Sequence, residues 1–469
     1  MKKCLSSCAV LVSLLLVASS VPQARADVKL PKVIGSHMVL QRDRPLPIWG
    51  WADPGEEVTV KLDDATATAK ADEQGNWKVV LPAVKADGKA HGMTVSGKNK
   101  IELDDILFGD VWIGSGQSNM EFHLGGSTGG KEAVAAANHP QVRLLHVEKV
   151  QAQQPAKDIV VAGGGKSEKG QPAPAAETGP AWKLCTTQSV PNFSAVLYYF
   201  GQRLHKDIGV PVGLINSSWG GTRIEPWTVA EGKGGGMYNG MIAPVKPFAI
   251  RGTIWYQGES NVGNGLAYAE KMKALIEGWR QVWGYDFPFH FVQIAPFAGY
   301  KPGSLPPLWE GQVASLKMPN TGMAVTTDLV ENIRDIHPKN KFDVGNRLAL
   351  WTLAKEYGKK GLVYSGPLYK SMKIEGNKIR LSFAHVGGGL KSRDGKPLSE
   401  FEIAGADGKF VAAEATIDGD TVIVKAKEVA APTQAQFGWR NEANPNLTNK
   451  EGLPASPFQT NNWQGGTGE

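Results

Sequence analysis

One serine of the chain stands in a setting that suits nucleophilic chemistry. Ser118 lies in the segment GSGQSNM (residues 114–120), which begins where an apolar run over 110–114 ends. Such a run predicts a buried strand, and open α/β sheets bind their ligands at the carboxyl ends of strands. The Ser118 hydroxyl could attack an acyl group while its backbone N–H donates to the oxyanion that forms. The same motif is also typical of a serine that caps a helix and does no chemistry.

A serine nucleophile needs a general base, and His337 has the most suitable setting among the nine histidines. It lies in the segment DIHP (residues 335–338), which follows a predicted strand over 322–327 and precedes a predicted helix. Asp335 could orient the imidazole and stabilise it when protonated, which is the third role in a catalytic triad. Asp335 is also a suitable helix-entry residue, and His123, five residues after the serine, is the competing base.

Two further loops are predicted to lie at the same edge of the sheet. The segment NSSWGGT (216–222) could offer the backbone N–H of Gly220 or Gly221 to an oxyanion, and the segment QGESN (257–261) could offer a side-chain amide. Both kinds of donor are used in oxyanion holes. Because glycine pairs usually mark turns, these loops gain meaning only alongside the serine and the histidine.

Other chemistries fit the sequence poorly. Residues 125–131 nearly match a phosphate-binding loop, but Glu132 stands where Ser or Thr should bind magnesium, and no strand leads into the segment. Met120 replaces the second glycine of the Gly-x-Ser-x-Gly elbow of α/β-hydrolases. The sequence has no His-Glu-x-x-His segment and no paired cysteine set, so it predicts neither a catalytic metal nor a cofactor.

The predicted elements explain how these residues could meet. From residue 106 onward, apolar strands alternate with helical stretches, a pattern typical of a parallel α/β sheet with helices on both faces. The predicted helices cover 267–283 and 342–357. The predicted strands cover 110–114, 212–216, 252–257, 289–294 and 322–327.

Two β-rich regions flank this α/β part. Residues 27–104 alternate apolar and polar side chains between turn residues, and 361–469 contain several predicted hairpins. We therefore expect an N-terminal β domain over 27–104, a central domain over 105–360 and a C-terminal β domain over 361–469. Residues 151–180, rich in Ala, Gln, Gly and Pro, are predicted to form a surface insert in the central domain.

Residues 1–26 are predicted to be a secretory signal peptide. They combine Lys2 and Lys3 with an apolar run over 9–18 and the small-residue site Ala24-Arg25-Ala26. The run is too short for a membrane anchor, so we expect export to the periplasm or the extracellular space. Removal of this segment, which holds three cations and no acid, lowers the formal net charge from +6 to +3. This balance, without a basic cluster among aromatic residues, argues against nucleic acid as a partner.

The three motifs together resemble those of the sialate O-acetylesterase-type SGNH hydrolases. The segments GQSNM (116–120), WYQGESN (255–261) and DIHP (335–338) occur in the order and at the spacing of that family. The similarity extends over nearly all of the mature chain. The resemblance implies a flavodoxin-like parallel sheet flanked by β domains. It also implies a serine esterase that removes O-acetyl groups from carbohydrate through an acetyl-enzyme, without a cofactor.

The resemblance assigns a role to each residue of the triad. Ser118 would be the nucleophile, His337 the general base and Asp335 its acid partner. Family members commonly place two residues between the acid and the histidine, whereas only Ile336 intervenes here. Asp328, at the end of the predicted strand, is therefore the alternative acid.

The resemblance also implies oxyanion donors and a substrate class. The backbone N–H of Ser118 and one glycine of the pair Gly220-Gly221 would bind the oxyanion, together with a side-chain amide from Gln257 or Asn261. The substrate would be an acetylated sugar, either O-acetylated sialic acid or an acetylated plant polysaccharide such as xylan. A carbohydrate-binding protein built on an inactive hydrolase scaffold is the alternative from a different class.

Overall fold

The computed structural model describes residues 27–160 and 181–468. The predicted signal peptide (1–26) lies outside the described residues, as does most of the predicted surface insert. The described part of the insert is held to the body of the protein by backbone hydrogen bonds, for example from the N–H of Ala156 to the carbonyl oxygen of Asn239 (2.8 Å). Within the described ranges, no helix is both long and apolar enough to cross a membrane.

Seven strands form the N-terminal part, and the last of them continues into the central sheet. These are β1 (Val39–Gln41), β2 (Leu46–Trp51), β3 (Glu57–Leu62), β4 (Ala65–Lys70), β5 (Asn76–Leu81), β6 (His91–Ser96) and β7 (Lys100–Gly116). Along the first six residues of β7 exposed and partly buried side chains alternate, and the remainder is buried throughout. Alternation is typical of a strand with one solvated face, whereas continuous burial is typical of a strand that is covered on both faces. β7 pairs antiparallel with β6 and parallel with β1 before it enters the central sheet.

The central sheet is built almost entirely on parallel pairing. The strands of this part are β8 (Asn138–His146), β9 (Lys183–Thr186), β10 (Val212–Ser218), β11 (Val229–Ala230), β12 (Lys233–Gly234), β13 (Gly252–Tyr256), β14 (Phe289–Val292) and β15 (Thr321–Ala324). Their order in the sheet is β15-β14-β13-β7-β10-β8-β9, and only β8 and β9 pair antiparallel. β11 and β12 form a separate hairpin. Because the strands run parallel, the carboxyl ends of β7, β10, β13 and β15 meet at one edge.

Helices cover both faces of the central sheet. The α-helices of this part are α1 (Ser118–Glu121), α2 (Gly130–Ala135), α3 (Ala195–Ile208), α4 (Tyr268–Trp283), α5 (Leu305–Ala314) and α6 (Lys341–Lys355). Adjacent residues of a strand point to opposite faces. In β14 the Phe289 ring packs on Trp279 of α4 (6.0 Å between centroids), whereas His290 lies beside Trp351 of α6 at Gly322. α4 and α6 therefore cover opposite faces, which confirms the predicted parallel α/β arrangement.

The C-terminal part has a core of its own. Its strands are β16 (Leu368–Glu375), β17 (Lys378–Ala384), β18 (Leu390–Ser392), β19 (Phe401–Ala404), β20 (Val411–Ala412), β21 (Glu414–Asp418), β22 (Thr421–Lys425), β23 (Gln434–Phe437), β24 (Leu447–Asn449) and β25 (Phe458–Gln459). They form two four-stranded sheets and the pair β18-β24. Apolar side chains between them, such as Phe383, Phe437 and Phe458, form a separate cluster.

The N-terminal strands, by contrast, share one apolar cluster with the central sheet. The boundary predicted between residues 104 and 105 falls inside β7, which runs without interruption from one part into the other. The division of the chain into three domains therefore stays a prediction. What matters for the site is that β7 is anchored at both ends, because this strand leads directly to Ser118.

Candidate active site

The candidate nucleophile lies at a sharp turn between β7 and α1. Gly116 ends the strand with a φ of +132°, and a Cβ at this position would lie 2.2 Å from the Tyr256 carbonyl oxygen, so only glycine fits. Ser118 then begins α1. The Ser194 hydroxyl donates to the Met120 carbonyl oxygen (2.6 Å), which ties α1 to the start of α3. The turn thus places Ser118 at the carboxyl end of β7.

Ser118 and His337 are in direct contact, although they are 219 residues apart in the chain. The distance between His337 Nε2 and Ser118 Oγ is 2.8 Å. With the imidazole proton on Nδ1, the hydroxyl donates to Nε2, which is the geometry that a general base needs. His123, the competing base, instead accepts the Gly126 N–H through Nδ1 and stacks on the Phe122 ring. The structure therefore brings together the predicted nucleophile and the predicted base.

Asp335 lies beside His337 but does not bond to its Nδ1. Asp335 Oδ1 accepts the backbone N–H of His337 (2.9 Å) and is 3.9 Å from Nδ1, which is too long for a hydrogen bond. The Asp335 side chain is 41% exposed, so water screens its charge. Asp328, the alternative acid, has a side chain that is only 8% exposed, and it accepts two 2.7 Å bonds from the Arg347 guanidinium. Asp328 is thus engaged elsewhere, and the role of Asp335 stays a prediction.

Matched Asp→Asn variants can distinguish the two acids. Asp335→Asn should lower kcat/KM by about tenfold to a hundredfold, because the protonated imidazole loses a neighbouring negative charge. Asp328→Asn should leave kcat/KM of the folded protein unchanged and lower the free energy of unfolding by about 3–5 kcal/mol, because Arg347 loses its buried partner. Ester hydrolysis and urea unfolding measure these two quantities. The reverse pattern would make Asp328 the triad acid.

Gly220 is the loop glycine that approaches the nucleophile. A Cβ at this position would lie 3.2 Å from the Ser118 Cβ, whereas the space beside Gly221 is open. The Gly220 N–H donates to Glu121 Oε2 (2.6 Å), and the other oxygen of this carboxylate binds the Lys149 ammonium. Glu121, the last residue of α1, was not among the predicted site residues. Its place on the same helix face as the nucleophile, three residues later, is the signal that could have found it.

The two candidate amides, Gln257 and Asn261, are fully buried, and neighbouring groups occupy their hydrogen-bonding atoms. Gln257 Nε2 donates to Gln117 Oε1 (3.0 Å), to the Thr222 carbonyl oxygen (3.1 Å) and to Asn261 Oδ1 (2.7 Å). The Asn261 amide nitrogen donates to side chains of the same loops. These bonds tie the loops after β10 and β13 to the residue before Ser118. An oxyanion role for either amide stays a prediction.

The surroundings of His337 favour its neutral form. Burial lowers the pKa of His337 below its ordinary value of 6.5, and the Lys341 ammonium lowers it further. The carboxylates of Asp335 and Glu121 act in the opposite direction but do not cancel the lowering. An imidazole that is neutral near pH 7 can accept the proton of a serine hydroxyl.

The groups around the Ser118 hydroxyl suit acyl transfer from an ester. They are a neutral imidazole in contact with the hydroxyl, the turn that carries the Ser118 backbone N–H, and the loop glycine Gly220 close to Ser118. Nucleophile, base and oxyanion donors are the parts that such a reaction requires. Among residues 27–160 and 181–468, no group of three or more His, Cys, Asp or Glu side chains is placed to hold a metal ion.

The chain is similar to known carbohydrate esterases over most of its length. Residues 108–353 match the sequence profile of the family described as carbohydrate esterase, sialic acid-specific acetylesterase. The sialate O-acetylesterase of Homo sapiens is 32% identical over 413 residues, which cover 75% of this chain and 75% of that protein. The sialate O-acetylesterase of Mus musculus is 29% identical over 447 residues, which cover 77% of this chain and 80% of that protein. A solved structure described as a novel carbohydrate acetylesterase from Xanthomonas citri is 41% identical, with a TM-score of 0.85. The match covers 93% of this chain and 100% of that structure's chain.

Proposed function

The chain belongs to the carbohydrate esterase family of sialic acid-specific acetylesterases, and we propose that Ser118 and His337 perform its ester hydrolysis. Its function is the removal of O-acetyl groups from carbohydrate. The residue assignment rests on the 2.8 Å contact between Ser118 Oγ and His337 Nε2. This contact lies at the carboxyl edge of a parallel sheet, where open α/β proteins bind their ligands.

The proposed reaction has two halves. Ser118 Oγ attacks the acetyl carbonyl carbon while His337 Nε2 takes the hydroxyl proton. The bond between the acetyl carbon and the sugar oxygen then breaks, and His337 returns the proton to the leaving sugar hydroxyl. In the second half, His337 deprotonates a water molecule, which attacks the carbonyl carbon of the acetyl-enzyme. The bond between this carbon and Ser118 Oγ then breaks, acetate leaves, and His337 returns the proton to Ser118 Oγ. Asp335 is proposed to stabilise the imidazolium in both halves.

Two backbone N–H groups, those of Ser118 and Gly220, are proposed to bind the oxyanion. Backbone N–H donors directed at the oxyanion stabilise the negative charge that develops there. In the free protein the Gly220 N–H is bonded to Glu121, so the carbonyl oxygen of the substrate must displace that carboxylate. Lys149 already pairs with Glu121 and can hold the displaced carboxylate. A direct donor from Gln257 would require one of its bonds within the loops to open.

The acid limb of the pH–rate profile should report the protonation of His337. Because the folded protein lowers the pKa of His337, the base is active above this lowered pKa and the limb should lie below pH 6.5. Glu121→Gln removes a carboxylate that raises the pKa of His337, so the limb of kcat/KM should move to lower pH. Initial rates across acidic and neutral pH measure the shift, with Glu132→Gln on an exposed helix position as control. A limb that moves to higher pH in Glu121→Gln would contradict this electrostatic account.

The substrate is proposed to be an O-acetylated sialic acid. The family description and the names of the relatives from Homo sapiens and Mus musculus support this choice. Acetate release from an O-acetylated sialic acid can be compared with release from acetylated xylan at equal ester concentration. We expect the higher kcat/KM on the sialic acid, and the reverse order would assign the enzyme to a plant polysaccharide.

Hydrolysis of p-nitrophenyl acetate, with and without a serine-reactive organophosphate, tests the serine mechanism. We expect the protein to hydrolyse the ester, the organophosphate to abolish turnover, and mass analysis to find the label on the peptide that contains Ser118. A label on another residue, with loss of turnover, would reject Ser118 as nucleophile. A folded sample with neither turnover nor label would favour an inactive carbohydrate-binding scaffold.

Export is also proposed, on the basis of the residues at the N-terminus. Lys2 and Lys3, the apolar run over 9–18 and the small residues Ala24 and Ala26 are typical of a cleaved signal peptide. N-terminal sequencing of the mature protein should therefore start at Asp27. A mature protein that retains the first residues would contradict cleavage.

A further inference from the structure

Asn119 joins the two backbone segments that hold the nucleophile and the base. It follows Ser118 in α1, and its side chain is buried. Its amide nitrogen donates to the Ile336 carbonyl oxygen (3.0 Å), in the residue before His337, and to Glu259 Oε1 (2.6 Å). One side chain thus links the turn after β7, the loop after β13 and the loop that leads into α6.

Lys341 makes the remaining bond to this amide. Its fully buried ammonium donates to Asn119 Oδ1, with the ring centroids of Phe122 and Tyr256 at 5.1 and 5.2 Å. A lysine offers only donors and a backbone carbonyl only accepts, so the two neighbours together determine which way the amide points. The Asn119 amide cannot turn over without losing hydrogen bonds at both ends.

Lys341 and Glu259 are opposite charges bridged by the Asn119 amide. Burial lowers the pKa of Lys341 to about 7, and the Glu259 carboxylate opposes that effect. Burial also raises the pKa of Glu259. Hydrogen bonds from its own backbone N–H and from Asn119, and the charge of Lys341, act to lower this pKa. Glu259 Oε2 has no hydrogen-bond partner among the described residues. Each of the two charges therefore depends on the other and on the amide between them.

We propose that Lys341 is a positioning residue for ester hydrolysis: by fixing the Asn119 amide, it keeps the Ser118 hydroxyl and the His337 imidazole at reaction distance. The inference rests on the proposed function and adds a residue that bonds to neither of the reacting groups. Geometry of this kind matters because a misplacement of about 1 Å can cost roughly a hundredfold in rate. The buried cluster consists of Asn119, Glu259 and Lys341, and none of these three was among the site residues predicted from the sequence.

The charge of Lys341 also acts on the base, which makes the proposal measurable. Three charged groups face His337, namely Lys341, Asp335 and Glu121. Lys341 lowers the pKa of His337, and the two carboxylates raise it. Loss of the ammonium should therefore move the acid limb to higher pH. A residue that only supports folding would leave the limb where it is.

The test compares wild type with Lys341→Met and with the double variant Lys341→Met/Glu259→Gln. Methionine keeps a long apolar side chain without the charge. Because Lys341→Met leaves a buried carboxylate without its cation, it can fail to fold, and the double variant removes that unpaired charge. In each folded variant we expect kcat to fall by about tenfold to a hundredfold with KM little changed. We also expect the acid limb of kcat/KM to move to higher pH.

The proposal requires both the lower kcat and the shifted acid limb. Thermal unfolding of each variant reports whether it is folded. A folded variant with the wild-type kcat overturns the proposal, and so does one with a lower kcat and an unmoved acid limb, which would assign Lys341 to folding alone. Ser118→Ala, assayed alongside, separates the two hypotheses. If Ser118→Ala retains turnover, the proposed function fails. If it is inactive while the Lys341 variants match wild type, only the positioning proposal fails.

Discussion

Replacing Ser118 with alanine is expected to lower kcat by roughly 10⁴- to 10⁶-fold, the range that loss of the nucleophile costs in serine hydrolases. The variant lacks the one oxygen atom that lies 2.8 Å from His337 Nε2. Without it no acetyl-enzyme can form. The fold should be retained, because Ser118 is only partly buried and such substitutions usually change the free energy of unfolding by less than about 0.5 kcal/mol.

Ser115, three residues earlier, offers a matched control. It is buried in β7, and its Oγ has no hydrogen-bond partner among the described residues. Ser115→Ala therefore removes a hydroxyl of the same motif without breaking a bond. Hydrolysis of p-nitrophenyl acetate should match wild type in Ser115→Ala and fall to background in Ser118→Ala, with native circular dichroism for both. Near-normal turnover in Ser118→Ala would reject Ser118 as nucleophile.

Removal of the base should have an effect of similar size. His337→Ala is expected to lower kcat by roughly 10⁴- to 10⁶-fold, because a serine hydroxyl without a base is a weak nucleophile. The rate of organophosphate labelling at Ser118 should fall as well, since that reaction uses the same activated hydroxyl. Because the two groups act as a unit, the double variant Ser118→Ala/His337→Ala should be no slower than either single variant. Losses that add would show that the residues act in separate steps.

His123 provides the control for the choice of base. In His123→Asn the new side chain can accept the Gly126 N–H as the imidazole does, so folding and turnover should be retained. The His337 side chain is 35% exposed, so the space left in His337→Gly opens to solvent, and added imidazole should restore part of the turnover. Loss of turnover in His123→Asn, with activity kept in His337→Gly, would make His123 the base.

The parallel strands could be predicted because each is an apolar run followed by a loop. Strands buried on both faces appear in a sequence as continuous apolar segments, and β10, β13 and β14 are buried along their whole length. β8 was not predicted, because only its second half is continuously buried and its first half is polar. α3 was also not predicted, because its first seven residues are all buried and hide the helical period.

The sequence alone determined the candidate nucleophile and base. Residue type and position after a predicted strand are local properties of the sequence. The fold then brought the ends of the strands that precede Ser118 and His337 to one edge of the sheet. The acid was not determined in this way. The spacing around Asp335 left Asp328 open, and only the tertiary structure paired Asp328 with Arg347 and left Asp335 beside the imidazole.

Only the tertiary structure decided which groups surround the reacting atoms. In the folded protein Glu121 accepts the N–H of Gly220, and Lys341 donates to the amide oxygen of Asn119. The Gln257 amide is buried and donates to Gln117. The Lys341 and Asn119 side chains are 222 residues apart in the chain. No local pattern records such contacts, because the direction of a side chain and the partner it bonds to follow from the packing of distant segments at the common edge of the sheet.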